Sequence, residues 1–258
     1  MRRLHLFEFE DQIWFPASLR RAMTAYLASA YRITPFPKLW AELLTKVMKH
    51  GETAEIVDLG SGSGGPIQYV LASLEERGYR AIVTLTDLYP SRLDLSRAGG
   101  TIRYWPKPVD ATCVPTELAG IRTMFASFHH FRAESAQRIL RDAFEQGRAI
   151  CVFEGTARAT GTVASSILIP FLVLILTPTI RPLAWVQILF TYLIPILPLL
   201  MFWDGLVSHL RTYSEEELRD FTRDLRAEEY VWECGAIEIP RMPAAIPYLI
   251  GRPIEPVT

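Results

Sequence analysis

The 258-residue chain has little cysteine and almost no net charge. Its three cysteines, Cys113, Cys151 and Cys234, are far apart in the sequence and form no metal-ligand pattern. Because their number is odd, a disulfide framework is also disfavoured, and we expect a reducing compartment and no bound metal. The 27 basic and 28 acidic residues leave a formal net charge of −1, so there is no overall basic field to recruit nucleic acid.

An unbroken apolar run is missing from the N-terminus, where Glu8 follows a short basic and apolar stretch. A secretory signal needs such a run, so we expect that nothing at this end exports the protein. Hydrophobic residues nevertheless make up 50% of the chain, and the mean hydropathy is +0.15. This composition is sufficient for one α/β domain with a sizeable core and an insertion.

The most informative stretch is 56–65, an apolar run that contains Asp58 and ends in a glycine-rich turn. This pattern predicts a buried strand that turns sharply into a helix and leaves backbone amides available for a ligand. The spacing of Gly60, Gly62 and Gly65 also fits a dinucleotide-binding turn. Asp58 would repel a pyrophosphate, however, whereas it suits a cofactor that carries an ammonium and a sulfonium group. The residues therefore favour S-adenosylmethionine.

Residues 57–64 resemble the first motif of the class I S-adenosylmethionine-dependent methyltransferases, an apolar strand, an acid and Gly-x-Gly-x-Gly. The resemblance covers about 53–155 and, more weakly, 212–253. It implies a doubly wound, Rossmann-like, mostly parallel sheet of seven strands. Within the motif it assigns to the cofactor the residues Asp58, Gly60, Ser61, Gly62 and Gly64.

Further cofactor contacts are predicted after the second and third strands. Asp87 ends an apolar stretch roughly 20 residues past the glycines, where an acid accepts hydrogen bonds from ribose hydroxyls. The alternative for Asp87 is a helix cap or a solvated loop acid. Leu88 beside it would pack against the adenine. The resemblance places Asp110 and Ala111 near the adenine amino group, although Asp110 could equally cap a short turn.

The predicted fourth and fifth strands supply the candidate catalytic groups. Ligands of open parallel sheets bind at the carboxyl ends of the strands, so the loop after the fourth strand should face the methyl-transfer centre. There we expect Ser127 to contact the cofactor and His129 or His130 to act as a base, with Glu154 at the mouth of the cleft. The alternative for either histidine is a packed or hydrogen-bonding side chain without catalytic function.

Two apolar blocks without charged residues, 163–180 and 183–203, interrupt the alternation of strands and helices. Each approaches the length of about 20 residues that a membrane-crossing helix needs. Because the sheet begins before these blocks and finishes after them, we expect an even number of crossings, as in an apolar helical hairpin on the cytoplasmic side of a membrane. The alternative is an apolar cap over the active site or between two subunits. In either case Trp203, Asp204 and His209 would contribute to the acceptor pocket.

The chain then returns to the first domain. Ser214 and Glu217 form the capping box of a helix, and 230–234 and 245–253 are predicted to form a closing antiparallel hairpin. Pro247 would suit only an edge strand. The resulting division is 1–50 as N-terminal helices over the cofactor cleft, 51–160 and 205–258 as the methyltransferase domain, and 161–204 as the insertion.

The predicted function is methyl transfer from S-adenosylmethionine to a hydrophobic small-molecule or lipid-like acceptor, at a membrane. One alternative is a nonenzymatic membrane-associated protein that keeps the fold as a scaffold or ligand sensor. Another is a nicotinamide oxidoreductase, which only the spacing of Gly60, Gly62 and Gly65 supports.

Overall fold

A computed structural model describes residues 1–62, 64–90 and 100–254. Within them one mixed sheet has seven strands in the order β3-β2-β1-β4-β5-β7-β6. Strands β1 to β5 pair with one another in parallel, and β7 is antiparallel to both β5 and β6. The predicted seven-stranded α/β sheet is therefore confirmed, as a mixed sheet. The strands are β1 Thr53–Leu59, β2 Arg80–Thr86, β3 Ile102–Tyr104, β4 Ile121–Phe125, β5 Ile150–Phe153, β6 Tyr230–Ile237 and β7 Ile246–Pro253.

The α-helices of the described residues fall into three groups by position. In chain order they are α1 Ala17–Ile33, α2 Phe36–Leu44, α3 Ile67–Glu76, α4 Ala133–Glu145, α5 Thr160–Ser165, α6 Ile169–Leu176, α7 Trp185–Ile188, α8 Ile196–Arg211 and α9 Glu215–Thr222. Two precede the sheet, three pack on the faces of the sheet (α3, α4 and α9), and four form the region between β5 and α9.

The central strands are apolar because helices cover both faces of the sheet. All four residues of β5 are fully buried, which is typical of a parallel strand that is covered on both sides. Helices α2 and α3 pack on one face, and α4 and α9 pack on the other. Helix α9 begins as predicted, since Ser214 Oγ accepts from the N–H of Glu217 at 3.3 Å and the Ser214 N–H donates to Glu217 Oε2 at 2.8 Å.

The closing hairpin forms, but the prediction that Pro247 needs an edge strand is wrong. Strand β7 lies inside the sheet between β5 and β6. Its pairing with β5 ends at Phe153 and Tyr248, and the carbonyl of Pro247 accepts the Glu154 N–H at 3.4 Å. In an antiparallel pair the N–H and the C=O of a residue point to the same side. The missing N–H of Pro247 therefore faces Glu154, beyond the last paired residue of β5, and no hydrogen bond to β6 is lost.

The first predicted apolar block forms one continuous helical stretch, Thr160–Thr179, whose apolar window is only 22% buried. The second block is broken, because Trp185–Leu193 and Ile196–Arg211 meet at 87°. By length and composition, the described residues hold one helix that could cross a membrane, or two if the bent pair counts as one span. Helix α1 packs against α6 and α8 through a separate apolar cluster that includes Met23, Val173 and Met201. The hairpin itself thus stays a prediction.

Trp40 links the N-terminal helices to the sheet. Its side chain is fully buried, stacks on Phe36 with the ring centroids 5.3 Å apart, and contacts Phe125 at the end of β4 with centroids 5.6 Å apart. We expect Trp40→Ala to lower the free energy of unfolding by about 3–5 kcal/mol, because a large cavity would open between α2 and the sheet. Urea denaturation measures this. Trp185→Ala is the matched control: Trp185 is 70% exposed, and its loss should change stability by no more than about 0.5 kcal/mol.

Candidate active site

The sheet topology fixes where a ligand would bind. From β1 the chain adds β2 and β3 on one side, and then β4 and β5 on the other. Ligands of such sheets bind at this switch in direction, outside the carboxyl ends of the strands. The loops after β1, β2, β4 and β5 bring Gly60, Asp87, Ser127 and Glu154 to this one edge, as predicted from the sequence.

The glycine turn after β1 has the conformation that its sequence predicts. Gly60 and Gly62 have φ of +61° and +52°, in the left-handed region that favours glycine. A Cβ atom at either position would meet no heavy atom within 4 Å, so the space above the turn is open. A Cβ on Gly64 would instead lie 3.1 Å from Leu85 Cδ1. Ser63, inside the motif, lies outside the described residues.

Asp87 is tied to the glycine turn. Its Oδ2 accepts from the N–H of Gly62 at 2.9 Å, and its Oδ1 accepts from the N–H of Tyr89 at 2.8 Å. Ser61 strengthens the same junction, since its N–H and its hydroxyl both donate to the carbonyl of Thr86. A carboxylate can accept about four hydrogen bonds, so Asp87 can still receive ribose hydroxyls. Beside it Leu88 is 48% exposed and offers apolar surface.

Asp58 is a buried carboxyl group beneath this turn. Its side chain accepts a hydrogen bond from Thr123 Oγ1 at 2.8 Å and is otherwise shielded from water. Burial raises the pKa of Asp58 to about 7, and the nearby charge of Asp87 adds to the rise, while the Thr123 hydroxyl opposes it. A cation bound at this edge would stabilise the ionised form. The sequence analysis did not predict this role of Thr123, although Thr123 has the only hydroxyl group in β4.

Asp110 adopts the turn-capping arrangement that was one of its two predicted roles. Its Oδ1 accepts from the backbone N–H and the hydroxyl of Thr112, both at 2.8 Å. The carboxylate is exposed, while Ala111 is buried in the core beside it. The contact with adenine stays a prediction for both residues.

The loop after β4 contains a conformation that the sequence did not signal. Ala126 has φ of +50°, which is uncommon for a residue with a side chain and is found mainly at functional sites. Its N–H donates to the carbonyl of Phe153 at 2.7 Å, which holds the ends of β4 and β5 together. The hydroxyl of Ser127, next in the chain, is buried and has no hydrogen-bond partner among the described residues. The hydrogen-bonding capacity of this hydroxyl is therefore unused among these residues.

His129 and Glu154 form a buried dyad across the ends of β4 and β5. Glu154 Oε2 lies 2.7 Å from His129 Nδ1, and Glu154 Oε1 accepts the His129 N–H at 2.8 Å. The Nε2 atom has no hydrogen-bond partner in the described part of the chain. An ionised carboxylate can only accept hydrogen bonds. Glu154 therefore selects the tautomer with the proton on Nδ1 and leaves Nε2 as an acceptor. This is the arrangement of a general base with its orienting acid.

His130 differs from His129 because it lies in a cluster of charges. Its Nδ1 is 2.9 Å from Asp11 Oδ1 and 3.2 Å from Glu8 Oε2. Burial opposes its charge, but Glu8 and Asp11 together raise the pKa of His130 to about 9. His130 is therefore protonated at neutral pH and cannot accept a proton there. Of the two predicted bases, the structure leaves only His129 with a free acceptor atom.

The acids of this cluster come from the N-terminal segment, which we define as residues 3–11. Arg211 of α8 binds it through Asp11 Oδ2 at 2.7 Å and the carbonyl of Leu6 at 2.7 Å. Arg3 donates to the carbonyls of His129 and Phe131, both at 3.0 Å. The sequence analysis did not predict roles for Glu8, Asp11 and Arg211. The acids Glu8, Glu10 and Asp11, in an otherwise basic and apolar N-terminus, were a usable signal.

The three residues predicted for the acceptor pocket lie on α8, near the same segment. The Asp204 carboxylate accepts the N–H groups of Phe9 at 2.8 Å and Glu10 at 3.1 Å. Trp203 Nε1 donates to the carbonyl of Phe7 at 3.0 Å. His209 Nδ1 lies 2.9 Å from the carbonyl of Ala157, in the loop after β5. All three hold the N-terminal segment or that loop in place, and their contact with an acceptor stays a prediction.

Glu8, His129 and His130 also bring three possible metal-ligand atoms within 4.8 Å of one another. The charges at this point balance without an ion, since Glu8 and Asp11 face protonated His130 and Arg211. The guanidinium of Arg211 lies 3.3 Å from Glu8 Oε2 and would repel a metal cation. The group therefore acts as an ion-pair network.

The fold that the resemblance implies is the fold observed. No protein-family model and no curated protein matches the chain. Solved structures do. The mitomycin 7-O-methyltransferase MmcR matches with a TM-score of 0.46 and 17% identity over 84% of this chain and 53% of its own, so this chain spans about half its length. PigF, solved with SAH, matches with a TM-score of 0.48 and 14% identity over 92% of this chain and 67% of its own. A putative Zn-dependent alcohol dehydrogenase from Rhodobacter sphaeroides matches with a TM-score of 0.44 and 16% identity over 85% of this chain and 99% of its own.

Asp58 should make the stability of the ligand-free protein depend on pH. Its folded-state pKa of about 7 lies above the ordinary value of 3.8, so its contribution is present below that ordinary value and is lost as the pH rises through about 7. Asp58→Asn keeps the hydrogen bond from Thr123 and removes the titration. We expect the variant to gain stability relative to the native protein as the pH rises from 5 to 7, by about 2–3 kcal/mol. Parallel urea denaturation series measure the difference, and equal curves for both proteins would contradict the assignment.

Proposed function

We propose that the protein transfers a methyl group from S-adenosylmethionine to a hydrophobic small-molecule acceptor, with His129 as the general base. The observation that carries this proposal is the buried His129–Glu154 dyad, whose free Nε2 lies at the same sheet edge as the glycine turn. Neither feature alone indicates this chemistry. Together they combine a cofactor cradle with a group that can accept a proton.

The residues of the turn fit the cofactor. Asp58 supplies a negative charge that lacks a cationic partner among the described residues, and it would face the ammonium or sulfonium charge. The open, left-handed glycines Gly60 and Gly62 allow close approach to the backbone. Asp87 would accept the ribose hydroxyls, and the exposed side chain of Leu88 would pack on the adenine.

When bound, the cofactor supplies a methyl group on a positively charged sulfur, which is already reactive toward a nucleophile. The protein must therefore align an acceptor with that methyl group and remove one proton from it. His129 Nε2 would take the proton from the acceptor's O–H, N–H or acidic C–H group, while the sulfonium would supply the methyl carbon and leave as a neutral thioether. Glu154 then stabilises the imidazolium through its bond to Nδ1.

A hydrophobic acceptor is supported by the aromatic side chains around α8 and the N-terminal segment. Phe7 lies between Phe9 and Trp203, with ring centroids 5.2 and 5.4 Å apart, and it is 47% exposed. Trp14 extends this group and is 67% exposed. These rings provide apolar surface next to the charged cluster around His130. An acceptor with an apolar body and one polar group would suit both.

The two alternative functions make different demands on the same residues. A nonenzymatic scaffold does not need a histidine with a free, oriented acceptor atom. A nicotinamide oxidoreductase would place a pyrophosphate over the buried carboxyl group of Asp58, which is electrostatically unfavourable. An assay with labelled methyl groups, against hydrophobic extracts of the source cells, distinguishes turnover from binding alone.

Cofactor binding should depend on Asp87 and on the charge of Asp58. We expect Asp87→Ala to weaken the binding of S-adenosylmethionine by roughly ten- to hundredfold, the cost of about 1.5–3 kcal/mol for a lost charge-assisted hydrogen bond. Asp58→Asn should weaken it most at pH 8, where the native carboxyl group is ionised. Isothermal titration calorimetry measures both, with Asp224→Ala, an exposed acid beyond α9, as the matched control. Tighter binding of NADH than of S-adenosylmethionine would favour the oxidoreductase instead.

Turnover should depend on His129 and not on a histidine outside the site. We expect His129→Ala to lose roughly a hundredfold or more in kcat while it still binds the cofactor, because the proton acceptor is gone. Glu154→Gln should lower kcat and shift its pH profile, since the tautomer and the imidazolium are no longer stabilised. His50→Ala, a surface histidine that contacts Tyr79, is the control and should retain activity. Near-normal turnover of both site variants would remove His129 from the mechanism.

A further inference from the structure

An apolar face covers the outer side of the helices that follow β5. Its large side chains are more than half exposed to water, at 55–77% of their surface, and together they define the apolar face: Leu168, Phe171, Ile175, Trp185, Leu193 and Leu199. Residues 163–180 and 183–203 contain no charged side chain. Soluble monomers rarely expose an apolar surface of this kind without a partner.

The sheet restricts how this region could meet a membrane. Strand β5 precedes the helices and β7 follows them, yet the two strands are paired through Phe153 and Tyr248. Both ends of the region must therefore lie on the same side of any bilayer. Only zero crossings or an even number of crossings are possible.

The second apolar block cannot supply a return crossing. Its first part, Trp185–Leu193, has nine residues and meets Ile196–Arg211 at 87°. Nine helical residues extend about 14 Å, half of a hydrocarbon core of about 30 Å. Its second part contains only the uncharged residues 196–203 before Asp204, whose carboxylate accepts two N–H groups of the N-terminal segment. Any crossing by Thr160–Thr179 would need a return crossing by the second block. Since the second block cannot provide one, Thr160–Thr179 does not cross either.

The far end of the first apolar helix is also held against the rest of the protein. Ser29 Oγ and Thr179 Oγ1 are 3.0 Å apart, and Arg32 donates to the Thr179 carbonyl at 3.3 Å. Both partners belong to α1, which leads directly into α2 and the core around Trp40. The helices thus lie alongside α1 and do not project away from the domain.

We propose that the apolar face lies in one leaflet of an anionic bilayer, so that the protein is held at the membrane surface without crossing it. Helix α1 carries Arg20, Arg21 and Arg32 and no acid, and Arg21, Arg32 and Arg181 are exposed. Basic residues beside an apolar face attract anionic headgroups, as in other interfacial helices. This inference is independent of the proposed methyl transfer and holds whatever reaction the site carries out.

Sedimentation of the full chain with vesicles tests the docking. We expect binding to vesicles of phosphatidylcholine with phosphatidylglycerol, and weaker binding to phosphatidylcholine alone. Phe171→Asp, Ile175→Asp and Leu193→Asp should each weaken binding by at least about tenfold, because a charge would enter the leaflet. Ile254→Asp is the matched control, since Ile254 is 47% exposed but lies beyond β7. Equal binding of all these variants would overturn the proposal, and an unchanged thermal midpoint shows that each one is folded.

A labelling experiment separates one-leaflet docking from crossing. Arg181→Cys is placed in a background in which the exposed Cys113 and the partly exposed Cys234 are changed to Ser. A membrane-impermeant maleimide added outside should label Cys at this position equally in intact and detergent-opened vesicles. Labelling only after opening would show that the region crosses the bilayer. Absence of vesicle binding together with a dimer in solution would show that a second copy covers the face.

Discussion

The parallel pairing of β1 with both β2 and β4 is the constraint on which the site depends. Asp58 pairs with Leu85 on one side and with Thr123 on the other, so its carboxyl group is enclosed by the centre of the sheet. The same pairing reverses the direction in which strands are added and leaves an open crevice above β1. Asp58 lies near the end of β1, and Gly60, Asp87 and His129 follow β1, β2 and β4.

A second constraint is the set of ion pairs between the N-terminal segment and α8. The N-terminal segment supplies Glu8 and Asp11, and α8 supplies Arg211, about 200 residues away. His130 is held protonated between them, which leaves the neighbouring His129 free to accept a proton. A buried network of this kind specifies one arrangement because any unpaired member would be costly. It therefore positions the loop after β4 as well as the N-terminal segment.

The apolar helices and the active site share α8. One end of this helix carries the exposed Leu199, and the other end carries Arg211 next to the charged cluster. If both proposals hold, α8 would connect the leaflet with the site that takes the hydrophobic acceptor. The two proposals are separate in their evidence, but they agree on the chemical class of the acceptor.

Local sequence determined the strands, the glycine turn, the capping box at Ser214 and the positions of Asp58, Asp87 and Glu154, because each depends on neighbouring residues and on strand direction. Only the tertiary structure separated His129 from His130, since their difference arises from Glu8 and Asp11, which are distant in sequence. It also assigned Pro247 to an inner strand, and it set the 87° bend in the second apolar block, whose position and angle composition alone does not give. The hydrophobicity of a segment indicates that it avoids water. The path of that segment depends on packing between residues that are far apart in the chain.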